Sequence, residues 1–201
     1  MRFSLLSILL FSSISLFFSA CDDDYTPKQI GYPRVHFPDK TYIPYQAKGA
    51  PYTFEYASCA KIYTDTAVFG EKPENPYWIN VYYPMFDARI HISYKGIGKG
   101  QNSFKALMQD SYELSYKHSV KAETIDRANL SPAPHLGGQL FKIGGNAASS
   151  YQFFLTDSTK NYVRGALYFY CPPNADSLAP ITKFIYRDIE HLIETFRFTN
   201  Q

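Results

Sequence analysis

The sequence predicts an α+β domain, an antiparallel sheet flanked by helices in an α/β/α sandwich. Three observations point there: period-two alternation arrives in hairpin pairs, two stretches space their apolar residues at three and four, and strands do not alternate singly with helices as a parallel sheet requires. The first strand is Pro51 to Tyr56, with Tyr52, Phe54 and Tyr56 on one face and Thr53 and Glu55 on the other. After a loop over residues 70–76, the stretch Tyr77 to Tyr83 is rich in β-branched and aromatic side chains. A turn from Pro84 to Asp87 returns the chain, and Arg89 to Tyr94 sends Ile90, Ile92 and Tyr94 inward and Arg89, His91 and Ser93 outward. Asn102 or Ser103 caps a helix reaching to Lys121, with Phe104, Leu107, Met108, Tyr112 and Tyr116 as its apolar positions. Residues 128–138, containing Pro132, Pro134, Gly137 and Gly138, read as a connecting loop, and Leu140 to Ile143 as a short apolar run. Two further β-runs, one ending at Leu155 and one from Tyr162 to Tyr170, flank the polar turn Asp157 to Asn161 as a second hairpin. The last helix begins near Asp176 and Ser177, tolerates Pro180 in its first turn, and carries a stripe of Ile181, Phe184, Ile185, Ile189, Leu192, Ile193 and Phe196.

Ahead of this domain, residues 3–19 are almost wholly Phe, Ser, Leu and Ile behind Arg2, and the small pair Ser19 and Ala20 precedes Cys21 and the acidic run Asp22, Asp23, Asp24. That is the layout of a lipoprotein signal peptide over residues 1–20, cleaved before a cysteine that takes up a diacylglyceryl group and an N-acyl chain such as palmitate. The stretch is short and rich in serine, whereas a permanent span needs about 20 apolar residues. Phe18 departs from the aliphatic residue usual at its position. Residues 21–48, punctuated by Pro27, Pro33, Pro38 and Pro44, read as an extended tether, and 49–201 as a single globular domain.

Composition narrows the chemistry. The formal charge of +2 falls to +1 when Arg2 leaves with the signal, and no dense basic run remains, which excludes nucleic-acid binding through bulk charge. Cys59 and Cys171 are expected as buried free thiols rather than a bridge. His36, His91, His118, His135 and His191 stand alone, without ligand spacing, so no metal site is expected. His191 is expected to pair with its neighbour Glu190. Ser149 and Ser150 lack the Gly-x-Ser-x-Gly elbow of a hydrolase, although Asp157 and His118 would complete a triad on paper. Asp110 and Glu113 share a helix face as solvated carboxylates, and Gly96, Gly98 and Gly100 lack dinucleotide-loop spacing. No catalytic residue, cofactor or small-molecule substrate is therefore expected. Three Asp-Ser/Thr triplets, centred on Thr66, Ser158 and Ser177, resemble bacterial O-glycosylation acceptors.

Two resemblances add to this reading. Leu192 to Phe198, where the helix gives way to an alternating end, resembles the ending of PsbP-like domains. Phe86 to Lys95 with Lys117 and His118, Gly145 to Ser150, Gln152 to Ser158, Arg164 to Phe169, Pro173 to Leu178 and Asp188 to Arg197 resemble the gliding motility lipoprotein GldD family of the Bacteroidetes. Asp24 to Lys28 and Gly31 with Tyr32 extend that likeness to the cysteine. The resemblance implies a non-catalytic, lipid-anchored protein of the cell envelope, at the outer membrane, required for gliding motility and type IX secretion through contacts with other envelope proteins. It also implies that Asp22, Asp23 and Asp24 serve either as a surface-export signal or to keep the tether solvated. The alternative is an envelope glycan- or peptide-binding protein or hydrolase, using the aromatic residues around Trp78.

Overall fold

Among the residues that the computed structural model describes (34–64, 73–98 and 102–199), antiparallel pairing builds two sheets. The chain divides into residues 1–31 and 32–201, and all described elements belong to the second unit. A three-stranded sheet is ordered β1 (Tyr42–Tyr45), β2 (Tyr52–Ala57), β10 (Arg197–Phe198). The larger sheet has seven strands, in the order β3 (Lys61–Thr64), β4 (Ile79–Tyr83), β5 (Ala88–Gly96), β9 (Asn161–Phe169), β8 (Tyr151–Thr156), β7 (Leu136–Gly145), β6 (Ala122–Ala133).

One helix packs on each face of the large sheet. Helix α2 (Ala175–Thr195) buries Ile185, Ile189, Leu192 and Ile193 against Ile79, Val81, Ile90, Leu155, Val163 and Leu167 in the main core. Asn174 caps it, its side-chain oxygen accepting from the Ser177 amide at 3.0 Å. Helix α1 (Phe104–Tyr116) is capped by Ser103 and continues as a 3₁₀ turn to Val120. Its Leu107 joins Phe141, Ile143, Phe154 and Tyr162 in a second, smaller core on the opposite face. The α+β sandwich expected from the alternation is thus the architecture found.

Two elements differ from expectation. Residues 128–138 are not a loop: they belong to the β6–β7 hairpin, whose Ala133 pairs with Leu136 around Pro134 and His135. Strand β6 is the sheet's edge, where proline removes no required ladder bond, and His135 supplies the positive φ of 59° that the tight reversal needs. The stretch expected as tether contains β1, and the Lys40 ammonium lies 2.5 Å from the Asp188 carboxylate on α2. A buried acid on an otherwise apolar stripe is what holds the proline-rich approach segment in place.

Candidate functional site

The two faces of β5 and β9 are chemically unlike. Isoleucines and Val163 point toward α2, while the opposite face is polar. In register across that face stand Asn80, His91, Ala166 and Gln152, from β4, β5, β9 and β8. The adjoining rows hold Ser93 with Arg164 and Arg89 with Tyr168. Directly opposed residues of neighbouring strands share a face, so register alone gathers these groups.

Helix α1 covers only part of this surface, leaving a cavity of about 210 Å³ between helix and sheet. Arg164, His91, Trp78, Tyr168 and Ser111 line it, with apolar Leu107 and Leu114 descending from the helix. Polar groups beneath form a chain. An Arg164 Nη2 donates to Gln152 Oε1, which also accepts from Ser115 Oγ at 3.1 Å. Ser115 and Ser111 are both buried, one helical turn apart, and the Ser111 and Tyr162 hydroxyls lie 2.7 Å from each other. Trp78 donates its indole N–H to the Tyr94 carbonyl at 2.8 Å, fixing the ring.

Among the described residues, buried atoms on this face without a hydrogen-bond partner include Gln152 Nε2, on a residue 1% exposed, Asn80 Oδ1, on one 5% exposed, and Arg89 Nε. An unmet buried amide costs about 1–3 kcal/mol. Burial lowers the pKa of Arg164, and among the described residues no carboxylate lies within ion-pair distance of it. His118, beyond the C-terminal end of α1, has its pKa lowered by burial and then by the Arg164 charge. Arg89, one row further, has its guanidinium 4.3 Å from the centre of the Tyr170 ring. Asp110 and Lys95 also line the cavity, and Lys95 pairs with Glu74 at 3.0 Å. The arrangement offers fixed N–H donors and aromatic faces, with positive charge at its base.

The residues of the paper triad are not brought into one. The Asp157 carboxylate accepts from the backbone amides of Thr159, Lys160 and Asn161 and from the Asn161 side chain, so its oxygens are spent within the turn. Ser149 is fully buried, its hydroxyl facing the Tyr151 carbonyl at 3.4 Å. Ser150 lines a separate cleft of about 440 Å³ beside Tyr151 and Tyr186. Asp110 and Glu113 are exposed. The expectation for His191 is corrected: its Nε2 lies 2.7 Å from Glu55, not Glu190, and its ring stacks on Tyr42 with centroids 3.7 Å apart. Cys59 and Cys171 are free, but Cys59 is only half-buried and Cys171 exposed, because the chain leaves the sheet after Phe169. Ser158 and Ser177 are exposed in a hairpin turn and at a helix start. Cys21, Asp22, Asp23, Asp24 and Thr66 lie outside the described residues. No three His, Cys, Asp or Glu side chains converge as metal ligands among the described residues, and no described helix is long and apolar enough to cross a membrane.

Reading the sequence alone missed Asn80, Ser111, Ser115 and Gln152. The serines carried a signal, since they continue the Leu107 line at intervals of four. Nothing local distinguishes Asn80 or Gln152 from the surface side of a strand.

A family model described as gliding motility lipoprotein GldD matches residues 22–198. No curated protein sequence matches the chain. Among solved structures, the chain is similar to cyanobacterial PsbP (CyanoP) from Synechocystis sp. PCC 6803, at 10% identity and a TM-score of 0.48, over 83% of this chain and 97% of that one.

Proposed function

The chain belongs to the gliding motility lipoprotein GldD family, and on that premise we propose that it is a non-catalytic, lipid-anchored component of the outer membrane, required for gliding and for type IX secretion through contacts with other envelope proteins of that apparatus. The observation that carries this reading is the extent of the family match, which runs from the residue directly after Cys21 nearly to the C-terminus. Cys21 is the acylated residue. One chain gives only marginal, reversible membrane binding and stable anchoring takes at least two, at about 0.8 kcal/mol per buried methylene, so a triacylated cysteine holds the domain on its membrane. The non-catalytic part draws support from the hydroxyls and carboxylates themselves. Ser149 is sealed and Asp157 is committed to its own turn, so the serines, Asp157 and His118 do not assemble as nucleophile, orienting acid and base.

The test is made in the native host. Cys21→Ser is expected to release the protein from the membrane fraction and to abolish both gliding and secretion. Ser150→Ala and His118→Ala, which leave the anchor intact, are expected to retain both. A Cys21→Ser chain that stays membrane-bound and supports gliding overturns the anchor, and a folded but inactive Ser150→Ala overturns the non-catalytic reading.

A further inference from the structure

The cavity between α1 and the polar face of the large sheet has features that packing does not explain. A half-buried guanidinium, Arg164, stands at its base without a carboxylate partner among the described residues. It donates to Gln152 Oε1 and shares a side-chain hydrogen bond with Tyr168, and among the described residues the Gln152 amide nitrogen, buried beneath it, has no acceptor. A half-buried positive charge that served stability alone would gain from a carboxylate beside it, since its partial desolvation is otherwise uncompensated. Trp78, Tyr162 and Tyr168 line the same space, together with Leu107 and Leu114. The lining groups come from Trp78 just before β4 and from β5, β9 and α1, and hydrogen bonds among Ser111, Ser115, Tyr162 and Gln152 lock the floor in one arrangement.

From this geometry we propose that the cavity is a binding site for a small monocarboxylate, held by Arg164, with the apolar face of the ligand against Trp78. A guanidinium presents parallel N–H donors in a planar fork that matches the two oxygens of a carboxylate, and Gln152 beneath it accepts one Arg164 N–H and so orients the fork. The volume of about 210 Å³ lies below the range typical of drug-sized ligands and limits the occupant to a single ring or short chain. Asp110 at the lining disfavours a second negative charge, so a monoanion fits better than a phosphate dianion. Two sources share this chemistry: a free organic acid, and an acidic sugar whose ring carries both hydroxyls and an apolar face. The site is independent of the anchoring and secretion reading above, because it rests on side chains of the domain alone.

Trp78 is the chain's only tryptophan and lines the cavity, so its fluorescence reports on the site without any substitution. The full acylated chain, in detergent micelles, is titrated with glucuronate and with phenylacetate, and in parallel with glucose, phenylacetamide and inorganic phosphate. At least one acid is expected to change Trp78 emission saturably at millimolar concentration or below, while its neutral counterpart binds about tenfold more weakly or not at all. Glucuronate binding identifies the acidic-sugar source and phenylacetate binding the free-acid source. Arg164→Met is expected to weaken the same titration by about tenfold or more, whereas Lys183→Ala, in the separate cleft along α2, leaves it unchanged. If Arg164→Met does not fold, the acid-against-neutral comparison on the wild-type chain decides. Absence of a saturable response to either acid, equal binding of the neutral counterparts or of phosphate, or full affinity in a folded Arg164→Met overturns the proposal.

Discussion

Asp188 shows how one side chain can hold a segment that hydrophobicity would leave loose. Its carboxylate is buried on α2, yet it takes the Lys40 ammonium at 2.5 Å and accepts from the Tyr42 and Tyr83 hydroxyls at 2.9 and 3.2 Å. Lys40 also donates to the Phe184 carbonyl at 2.6 Å and sits 4.0 Å from the centre of that residue's ring. Three partners on one carboxylate bring residues 40–42 and the end of β4 onto the helix together. Removing one member of a buried pair leaves the other charge and both phenols unmet, at a cost of about 3–5 kcal/mol. Lys40 keeps some access to water, so Asp188→Ala is expected to fall at the lower end and to lower the midpoint of thermal unfolding, followed by circular dichroism, by roughly 6–12 °C. The same variant carries a second readout. Burial and then Asp188 push the Tyr42 phenol up to about 12, so without Asp188 Tyr42 ionises at lower pH in an ultraviolet titration. An Asp188→Ala chain that melts within a degree of the wild type would falsify the clasp.

At the scale of elements, strands pair through small residues as much as through large ones. Gly165 on β9 faces Phe153 on β8, and a methyl group there would stand 2.2 Å from the Phe153 ring. The ring lies across the glycine, filling core between β8 and β9, so Gly165→Ala must displace it. Overpacking of this kind costs about 1–3 kcal/mol. The expected result is a thermal midpoint about 2–12 °C lower for Gly165→Ala, partly restored when Phe153→Leu is added, because contacting residues couple. Additive losses in the double variant would show that the ring does not need the gap. Period-two alternation made β2, β4, β5 and β9 legible, and apolar spacing made both helices so, because each buries one continuous face. The β6–β7 hairpin was not legible, because its prolines and glycines carry the same letters as a loop and only the position of β6 at an edge makes them tolerable there. The polar cavity was hidden for a different reason: Asn80, His91 and Gln152 lie in one row only after β4, β5, β9 and β8 have found their register. Outward positions read one strand at a time look like surface.

For the molecule as a whole, titration defines the pH range in which the fold is stable. His118 has a folded pKa below its ordinary 6.5, through burial and the Arg164 charge, so the folded state binds fewer protons than the unfolded chain once pH drops below that value. Its contribution is complete above pH 6.5 and is lost as pH falls toward the depressed folded value. Burial alone would raise the Asp157 carboxyl, but three backbone amides and the Asn161 side chain outweigh it and lower the pKa below 3.8. That contribution is present above the ordinary value and disappears on further acidification. On the alkaline side the sign reverses. Burial, followed by hydrogen bonds to Asp188 and Glu190, raises Tyr42 and Tyr186 from 10.0 to about 12, so the folded state retains phenolic protons that the unfolded chain releases, and stability falls as pH rises from 10.0 toward that value. Thermal midpoints of the full chain in micelles, measured from pH 3 to 11, are therefore expected to form a plateau with an acid limb in two steps and one alkaline limb. His118→Gln, which cannot be protonated, is expected to flatten the step just below pH 6.5 and leave the one below 3.8 in place. Asp157→Asn is expected to do the opposite, with a lower plateau because the amide offers one accepting oxygen where the turn uses two. A His118→Gln profile that superimposes on the wild type would place the upper acid step elsewhere and remove the coupling between Arg164 and His118 from the account of how this sheet face is charged.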